Sequence, residues 1–297
     1  MQGDAGLPTT ASPSSHLTSP GRVAEPEASF TASKSPLIDL HSHILPGLDD
    51  GPANTGFSLA LARDMEEAGI EVVVATPHIR SDHVVDPLAV QEHVESFNRA
   101  LREAGVRLTV VTGGEVDIST ALTLDRAELE AVCLGSSTYL LVESPHSGTG
   151  ASMEEGVREL RRRGFGIVLA HPERSRMFVA EPERLERLVA QGVLSSVTAA
   201  SMAGGFGRAT QRFTARLFKS GLVHDVASDA HDHIFRPPGL LEGFRALEVL
   251  VPGLSAQFDW YTRISPQAII EGREAGPPPS APRPPSRLRK LAAPLLG

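Results

Sequence analysis

The chain has 297 residues, 41% hydrophobic and 22% charged, which suits one full-sized α/β barrel or two smaller domains. A net charge of -8 and a pI near 5.8 exclude a basic nucleic-acid footprint, and the single cysteine, Cys133, excludes both a disulfide framework and a thiolate zinc site. No apolar run approaches the roughly 18 to 20 residues of a membrane span, and the N-terminus lacks the basic-then-apolar order of a signal peptide, so a cytoplasmic protein is expected.

Residues 1–35 are rich in Ala, Ser, Thr, Pro and Gly and carry no apolar period, which predicts a disordered extension. From residue 36 to 273 apolar runs of strand length alternate with segments of helical spacing, the pattern of βαβ units around a parallel sheet. Seven runs qualify as strands: Leu37–Leu40, Glu71–Ala75, Arg107–Thr112, Thr138–Val142, Gly166–Ala170, Val193–Val197 and Val223–Ala227. Between them, Phe57, Ala60, Leu61, Met65 and Ala68 repeat at helical spacing, with Gly69 placed to cap the helix. Ser152-Met-Glu-Glu155 has the form of a capping box, and Pro182 fits the first turn of a helix burying Leu185, Leu188 and Val189. Further helices are predicted over about 87–104, 207–220, 240–251 and 266–271. Residues 274–297 run through prolines to Arg287, Arg289 and Lys290 and read as a flexible tail. The fold class is α/β, a closed or nearly closed barrel of seven strands, with an open doubly wound sheet as the rival.

Chemistry in such barrels sits at the carboxyl ends of the strands, and polar groups recur there. His41, His43, Asp49 and Asp50 follow the first run and His78 the second; Glu115 follows the third, Glu143 and His146 the fourth, His171 the fifth, and Asp229 and His231 the seventh. Only the sixth, ending in Thr198-Ala-Ala-Ser201, lacks an obvious ligand. Any one of these histidines is more often structural than functional, but independent structural histidines have no reason to recur after strand upon strand. Imidazole and carboxylate without thiolate suit Mn²⁺, Fe²⁺ or Zn²⁺, and the donors are too many for one ion, which implies two or three. Such a cluster suits hydrolysis of a phosphate ester. Arg174 and Arg236, each just beyond a ligand motif, offer guanidinium forks for the phosphoryl oxygens.

The ordered set DLHSHILPGLDDG, ATPHI, GGEVDI, LAHPER, VTAASMAGGFG and HDVASDAHD followed by RPP resembles the polymerase-and-histidinol-phosphatase (PHP) superfamily. Within it the sequence is similar to the bacterial manganese-dependent tyrosine-protein phosphatases of capsular and exopolysaccharide gene clusters, over roughly Leu37 to Glu271. The resemblance implies a distorted seven-stranded (β/α) barrel, the PHP fold, with a trinuclear site. One ion would be held by His41, His43, Glu115 and Asp229, a second by the bridging Glu115 and His171, and a third by Asp50, His78 and His231. It also favours Asp50 over Asp49, which from the sequence could exchange roles, and leaves open whether His146 ligates a metal or lines the pocket. His83, His93, His224 and His233 are read as structural or surface residues.

The implied activity is that of a metal-dependent phosphoric monoester hydrolase, a protein-tyrosine phosphatase. A metal-bridging hydroxide would attack phosphorus in line while Arg174 and Arg236 hold the phosphoryl oxygens. The expected partner is a phosphotyrosine protein, such as the tail of a bacterial tyrosine kinase controlling polysaccharide assembly. A thiol mechanism is excluded, because Cys-x5-Arg would need arginine where Tyr139 stands. The competing readings are another PHP phosphoesterase, such as a histidinol-phosphate phosphatase, and an inactive metal-stabilised interaction module. The loop Ala203-Gly-Gly-Phe-Gly207 reads as a turn that could also contact substrate.

Overall fold

A computed structural model describes residues 35–83, 85–144 and 151–280, with the side chains of Ala151 and Ser152 excepted. The expected tails, apart from short pieces next to the domain, lie outside these residues, as does His146. Among the described residues nine strands form: β1 (Ile38–Ser42), β2 (Val72–Ala75), β3 (His78–Ile79), β4 (Thr109–Thr112), β5 (Glu115–Asp117), β6 (Tyr139–Glu143), β7 (Gly166–Ala170), β8 (Leu194–Thr198) and β9 (Asp225–Ala227). All pair in parallel, in a three-stranded sheet of order β1-β2-β4 and a six-stranded sheet of order β3-β5-β6-β7-β8-β9.

Nine strands stand where seven are predicted because the second and third runs are interrupted. Thr76-Pro77 separates β2 from β3, and proline cannot donate to a ladder. Gly113-Gly114 separates β4 from β5; a Cβ on Gly113 would lie 2.6 Å from Val74 Cγ1, so only glycine lets the chain pass there. The short strands beyond the breaks continue the pairing in register, His78 opposite Glu115. On the other side, an isolated parallel bridge joins Ser42 to Ala230, with the His43 amide donating to Ala230 O at 2.9 Å and the Asp229 amide to His41 O at 2.8 Å. That bridge sets the end of β1 beside the segment that follows β9.

The helices are α1 (Thr55–Glu67), α2 (Val90–Glu103), α3 (Ile118–Thr123), α4 (Arg126–Ala131), α5 (Ala151–Arg162), α6 (Arg176–Ala180), α7 (Pro182–Ala190), α8 (Ala199–Ala203), α9 (Arg208–Lys219), α10 (Leu240–Leu247) and α11 (Ser265–Ile270). Each long one buries a stripe: Val90, Val94, Phe97 and Leu101 in α2, and Leu185 and Leu188 in α7, as their spacing predicts. In α1 the stripe is Ser58, Leu61, Ala62 and Met65, while Phe57 is 53% exposed. The capping box expected at Ser152 falls on side chains outside the described ones. A smaller apolar cluster, including Leu40, Val74, Leu141, Val168, Ala227 and Ile269, draws on strands of both sheets and on α11. Cys133 is a buried core residue whose thiol is pushed up to about 12 by that burial.

Candidate metal centre

His41 and His43, two apart on extended chain, face the same way and meet Glu115 from β5 and Asp229 from the loop after β9. His41 Nε2 lies 3.3 Å from His43 Nε2, 3.3 Å from Glu115 Oε2 and 3.4 Å from Asp229 Oδ1; His43 Nε2 lies 3.4 Å from each of those oxygens. Four ligands about 2.1 Å from one ion at tetrahedral corners stand about 3.4 Å apart. The five separations match five of the six edges of that figure. All four side chains are at most 3% exposed.

A second group gathers around Asp50. Its Oδ1 is 3.2 Å from His231 Nε2 and 3.5 Å from His78 Nε2, and donor atoms of His43, Asp50, His78 and His231 all lie within 4.8 Å of one another. A third group extends from Glu115 Oε1, which meets His171 Nε2 at 2.7 Å, to Glu143 at the end of β6, whose Oε1 is 3.9 Å from the same nitrogen. Donors of His78, Glu115 and Glu143 also lie within 4.8 Å of one another. The groups overlap through His43, His78 and Glu115.

Behind the donors stand the groups that orient them. Asp49 turns away from the cluster: its Oδ2 accepts from His43 Nδ1 at 2.7 Å and from the His78 amide at 2.9 Å. His231 Nδ1 donates to Asp229 O at 3.0 Å. In both histidines the outer Nδ1 is engaged, so Nε2 is the nitrogen presented to the centre. Asp39, fully buried, accepts from the Ser228 amide at 2.9 Å and from Ser228 Oγ at 2.5 Å, tying β1 to the loop that carries Asp229. Burial raises its carboxyl to about 6 despite those bonds. His171 (φ 33°) and Asp229 (φ 54°) are the non-glycine residues with positive φ among those described, a strained backbone of the kind concentrated at functional sites.

The electrostatics pull in opposite directions. Burial alone would neutralise Glu115 and Asp229, yet the facing His41 and His171 at Glu115, and His41, His43 and Arg174 at Asp229, hold both carboxyls well below the usual range. Burial also opposes a charged His43, but Asp229, Asp49 and Glu115 raise it well above the ordinary histidine value. Burial lowers His171 and His231, keeping their lone pairs available. Glu143 is raised to about 7, first by burial and then by the Glu115 carboxylate. Three buried atoms of the cluster, His78 Nδ1, Glu115 Oε2 and His231 Nε2, have close neighbours but no aligned hydrogen-bond partner. Orphaned lone pairs on imidazole and carboxylate, at ligand-to-ligand spacing, fit divalent cations.

Arg174 Nη1 and Arg236 Nη2 each lie 2.5 Å from Asp229 Oδ2. Both guanidiniums therefore stand at the edge of the donor cluster, 23% and 30% exposed. The ring of Phe206 lies 4.7 Å from Arg174 Cζ.

All eight predicted ligand positions converge on this centre, together with the two arginines. The sixth predicted strand, β8, ends in a structural contact instead, where Thr198 donates through its amide (3.0 Å) and its hydroxyl (3.1 Å) to the buried Glu173 in the turn after His171. Of the histidines set aside, His83 stacks on His78 with ring centres 5.3 Å apart, and His224 is buried away from the centre with its Nδ1 accepting from the Ser195 amide. Glu143 ends an apolar strand just as Glu115 follows one, yet the sequence alone assigns it no role beside the nearby His146. Arg80, 3.4 Å from Glu143 Oε2, and the buried Asp39 were also missed.

Comparison with known proteins places these observations in a family. The family model for capsular polysaccharide synthesis, CpsB/CapC, matches residues 37–251. The tyrosine-protein phosphatase YwqE of Bacillus subtilis (strain 168) is 36% identical over 197 residues, 66% of this chain and 78% of that protein. The tyrosine-protein phosphatase CpsB of Streptococcus pneumoniae is 27% identical over 215 residues, 70% and 88%. A crystal structure described under YwqE and CpsB as unique metal-dependent tyrosine phosphatases superposes with a TM-score of 0.72 at 30% identity, over 84% of this chain and all of the other. A β-aspartyl dipeptidase from Fervidobacterium islandicum AW-1 shares the fold alone, with a TM-score of 0.53 at 14% identity. The chain belongs to the CpsB/CapC family of capsular polysaccharide synthesis proteins.

Proposed function

We propose that this protein is a metal-dependent phosphatase hydrolysing protein phosphotyrosine. The observation that carries the proposal is the convergence of nitrogen and oxygen donors from successive strand ends on one centre, with two guanidiniums anchored at its edge. His41, His43, Glu115 and Asp229 would hold one ion. His171, Glu115 and Glu143 would hold a second, and Asp50, His78 and His231 a third. Mn²⁺ is the favoured metal, and Fe²⁺ or Zn²⁺ suit the same donors. Divalent cations bound there supply Lewis acidity and lower the pKa of water.

The chain's own part is binding and orientation. Asp229 Oδ2 fixes one nitrogen of each guanidinium, leaving the other N–H groups of Arg174 and Arg236 to grip phosphoryl oxygens and to stabilise the charge that builds on them. Asp49 and the Asp229 carbonyl fix His43 and His231 in the donor tautomer, so no reorientation accompanies binding. A phenolate leaves readily, so strong general-acid help is unnecessary.

Residues 36–273 form the catalytic domain in this reading, with a tail on either side. The strand breaks, the Ser42–Ala230 bridge and the interior cluster shared by both sheets support one distorted barrel of seven strands. No helix among the described residues is long and apolar enough to cross a membrane. A cytoplasmic enzyme acting on the phosphotyrosine tail of a kinase in capsule or exopolysaccharide synthesis accords with the family.

Turnover of a phosphotyrosyl peptide and of histidinol phosphate, each with added Mn²⁺, tests the proposal. Preferential hydrolysis of the peptide is expected. Turnover of histidinol phosphate alone would overturn the tyrosine-phosphatase reading, and an inert protein with full metal occupancy would overturn the enzymatic one.

A further inference from the structure

The loop between α8 and α9 carries an exposed aromatic ring and is built to hold it in place. Gly204 and Gly207 adopt φ of 87° and 91°, which side-chain-bearing residues rarely reach, and so reverse the chain on either side of Phe206. Gly205 N donates to Ala200 O at 2.8 Å, Gly207 N to Gly204 O at 2.9 Å, and Thr210 Oγ1 to Phe206 O at 3.1 Å. A Cβ on Gly205 would come within 3.2 Å of Ala200 O, so the loop lies tight against α8. At its base, Glu173 accepts from the Thr198 amide and hydroxyl, fastening the turn that carries Arg174 to the N-terminus of α8. The two segments meet again at their tips, where the Phe206 ring lies 4.7 Å from Arg174 Cζ.

Phe206 is nevertheless 41% exposed, so burial in the core does not account for its place. Its ring covers one face of a guanidinium, a contact that restrains the cation by its attraction to the π-system. The guanidinium that the ring covers reaches Asp229 Oδ2 through Nη1 at 2.5 Å, so Phe206 adjoins the edge of the site through Arg174. Other exposed apolar side chains follow site residues in the chain or precede them: Phe57 just after the Asp50 loop, and Phe235 immediately before Arg236. An exposed aromatic ring thus stands against a guanidinium at the edge of the ionic centre. In an aryl phosphate the first group outside the phosphoryl unit is a ring; in an alkyl phosphate it is a methylene.

We propose that Phe206 is a specificity-determining residue that receives the substrate's aryl ring and, through its stacking, a positioning residue for Arg174. The inference rests on the phosphatase reading above and adds to it the side chain that selects aryl over alkyl phosphomonoesters. The test uses the full chain with Mn²⁺ and compares the starting protein with Phe206→Ala and Phe206→Tyr. The readouts are kcat/KM on phosphotyrosine and phosphoserine, and inhibition constants for phenylphosphonate and methylphosphonate. In Phe206→Ala, kcat/KM for phosphotyrosine and affinity for phenylphosphonate are expected to fall about tenfold more than the alkyl values, the size of one aromatic contact. The alkyl values should fall a few-fold through loss of the Arg174 restraint, and Phe206→Tyr should keep the selectivity. Equal losses on aryl and alkyl ligands, no loss at all, or loss of selectivity in Phe206→Tyr would each overturn the inference. Those results leave the phosphatase reading intact, whereas failure of the starting protein to hydrolyse phosphotyrosine strikes that reading itself.

Discussion

Asp49 offers a demanding test of how the centre is assembled, because it adjoins Asp50 in the chain and differs from it in position. Its carboxylate is 1% exposed and accepts three hydrogen bonds: His43 Nδ1 at 2.7 Å, the His78 amide at 2.9 Å and the Gly51 amide at 3.0 Å. Asp49→Asn keeps the shape, removes the charge and leaves one oxygen where there were two. A hydrogen bond to a charged group contributes about 1.5–3 kcal/mol and a neutral one about 0.5–1.5, so the loss at His43 is about 1–2 kcal/mol. At about 1.4 kcal/mol per tenfold, that weakens ion binding by roughly 5- to 30-fold, close to the range observed when a ligand's supporting partner is removed. Calorimetric Mn²⁺ titration, with kcat/KM measured alongside, should show Asp49→Asn retaining full stoichiometry at reduced affinity. Asp50→Asn should instead bind fewer ions. The reverse pattern, an ion lost with Asp49→Asn and none with Asp50→Asn, would refute the assignment.

Other perturbations separate the remaining roles. Asp229→Ala should lose both metal and turnover, whereas Arg236→Ala should keep the metal by elemental analysis and lose roughly 10²-fold or more in kcat/KM, the scale of one charge-stabilising donor. His224 is buried and its imidazole is pushed down to about 4 from an ordinary value near 6.5. The unfolded chain therefore binds the extra proton first, and stability should fall as pH drops from about 6.5 through 4, by up to about 3 kcal/mol at the low end. His224→Gln should flatten that part of the pH profile of Tm. Phe244, fully buried and packed edge-on against Phe258 at 4.9 Å, anchors α10. Phe244→Ala should cost about 3–5 kcal/mol in urea unfolding.

The strand ends were legible in the sequence because parallel strands covered on both faces read as plain apolar runs, and a histidine or carboxylate just beyond such a run stands out. His41, His43, His78, Glu115, His171, Asp229 and His231 stand out as candidate ligands in that way. Gly51 marks the end of the first motif, and a Cβ there would meet His43 O at 2.2 Å, so the tight fold of the Asp49-Asp50 loop requires glycine. What periodicity does not carry is the partner of a side chain distant in sequence. Asp39 reads as one more residue of a buried strand until Ser228, 189 residues away, is placed beside it. The breaks at Thr76-Pro77 and Gly113-Gly114 were visible as residue types, but continued apolar character on either side concealed them. In α1, Phe57 fits the helical period and yet faces out at 53% exposure, because the buried stripe runs through Ser58, Leu61, Ala62 and Met65 instead.

The bridge between Ser42 and Ala230 bears on the order in which the molecule is made. His41 and His43 leave the ribosome early, but Asp229, His231 and Arg236 follow almost 190 residues later, and the contact that sets them beside β1 spans the same interval. Closing so long a loop is among the slower events of folding. A nascent chain therefore carries the first half of the centre through most of its synthesis without the groups needed to complete it. On the proposed ligand set, full ion capture would be a late event, awaiting the docking of β9 against the first strand. A chain released before Asp229 is added would lack donors from two of the three groups.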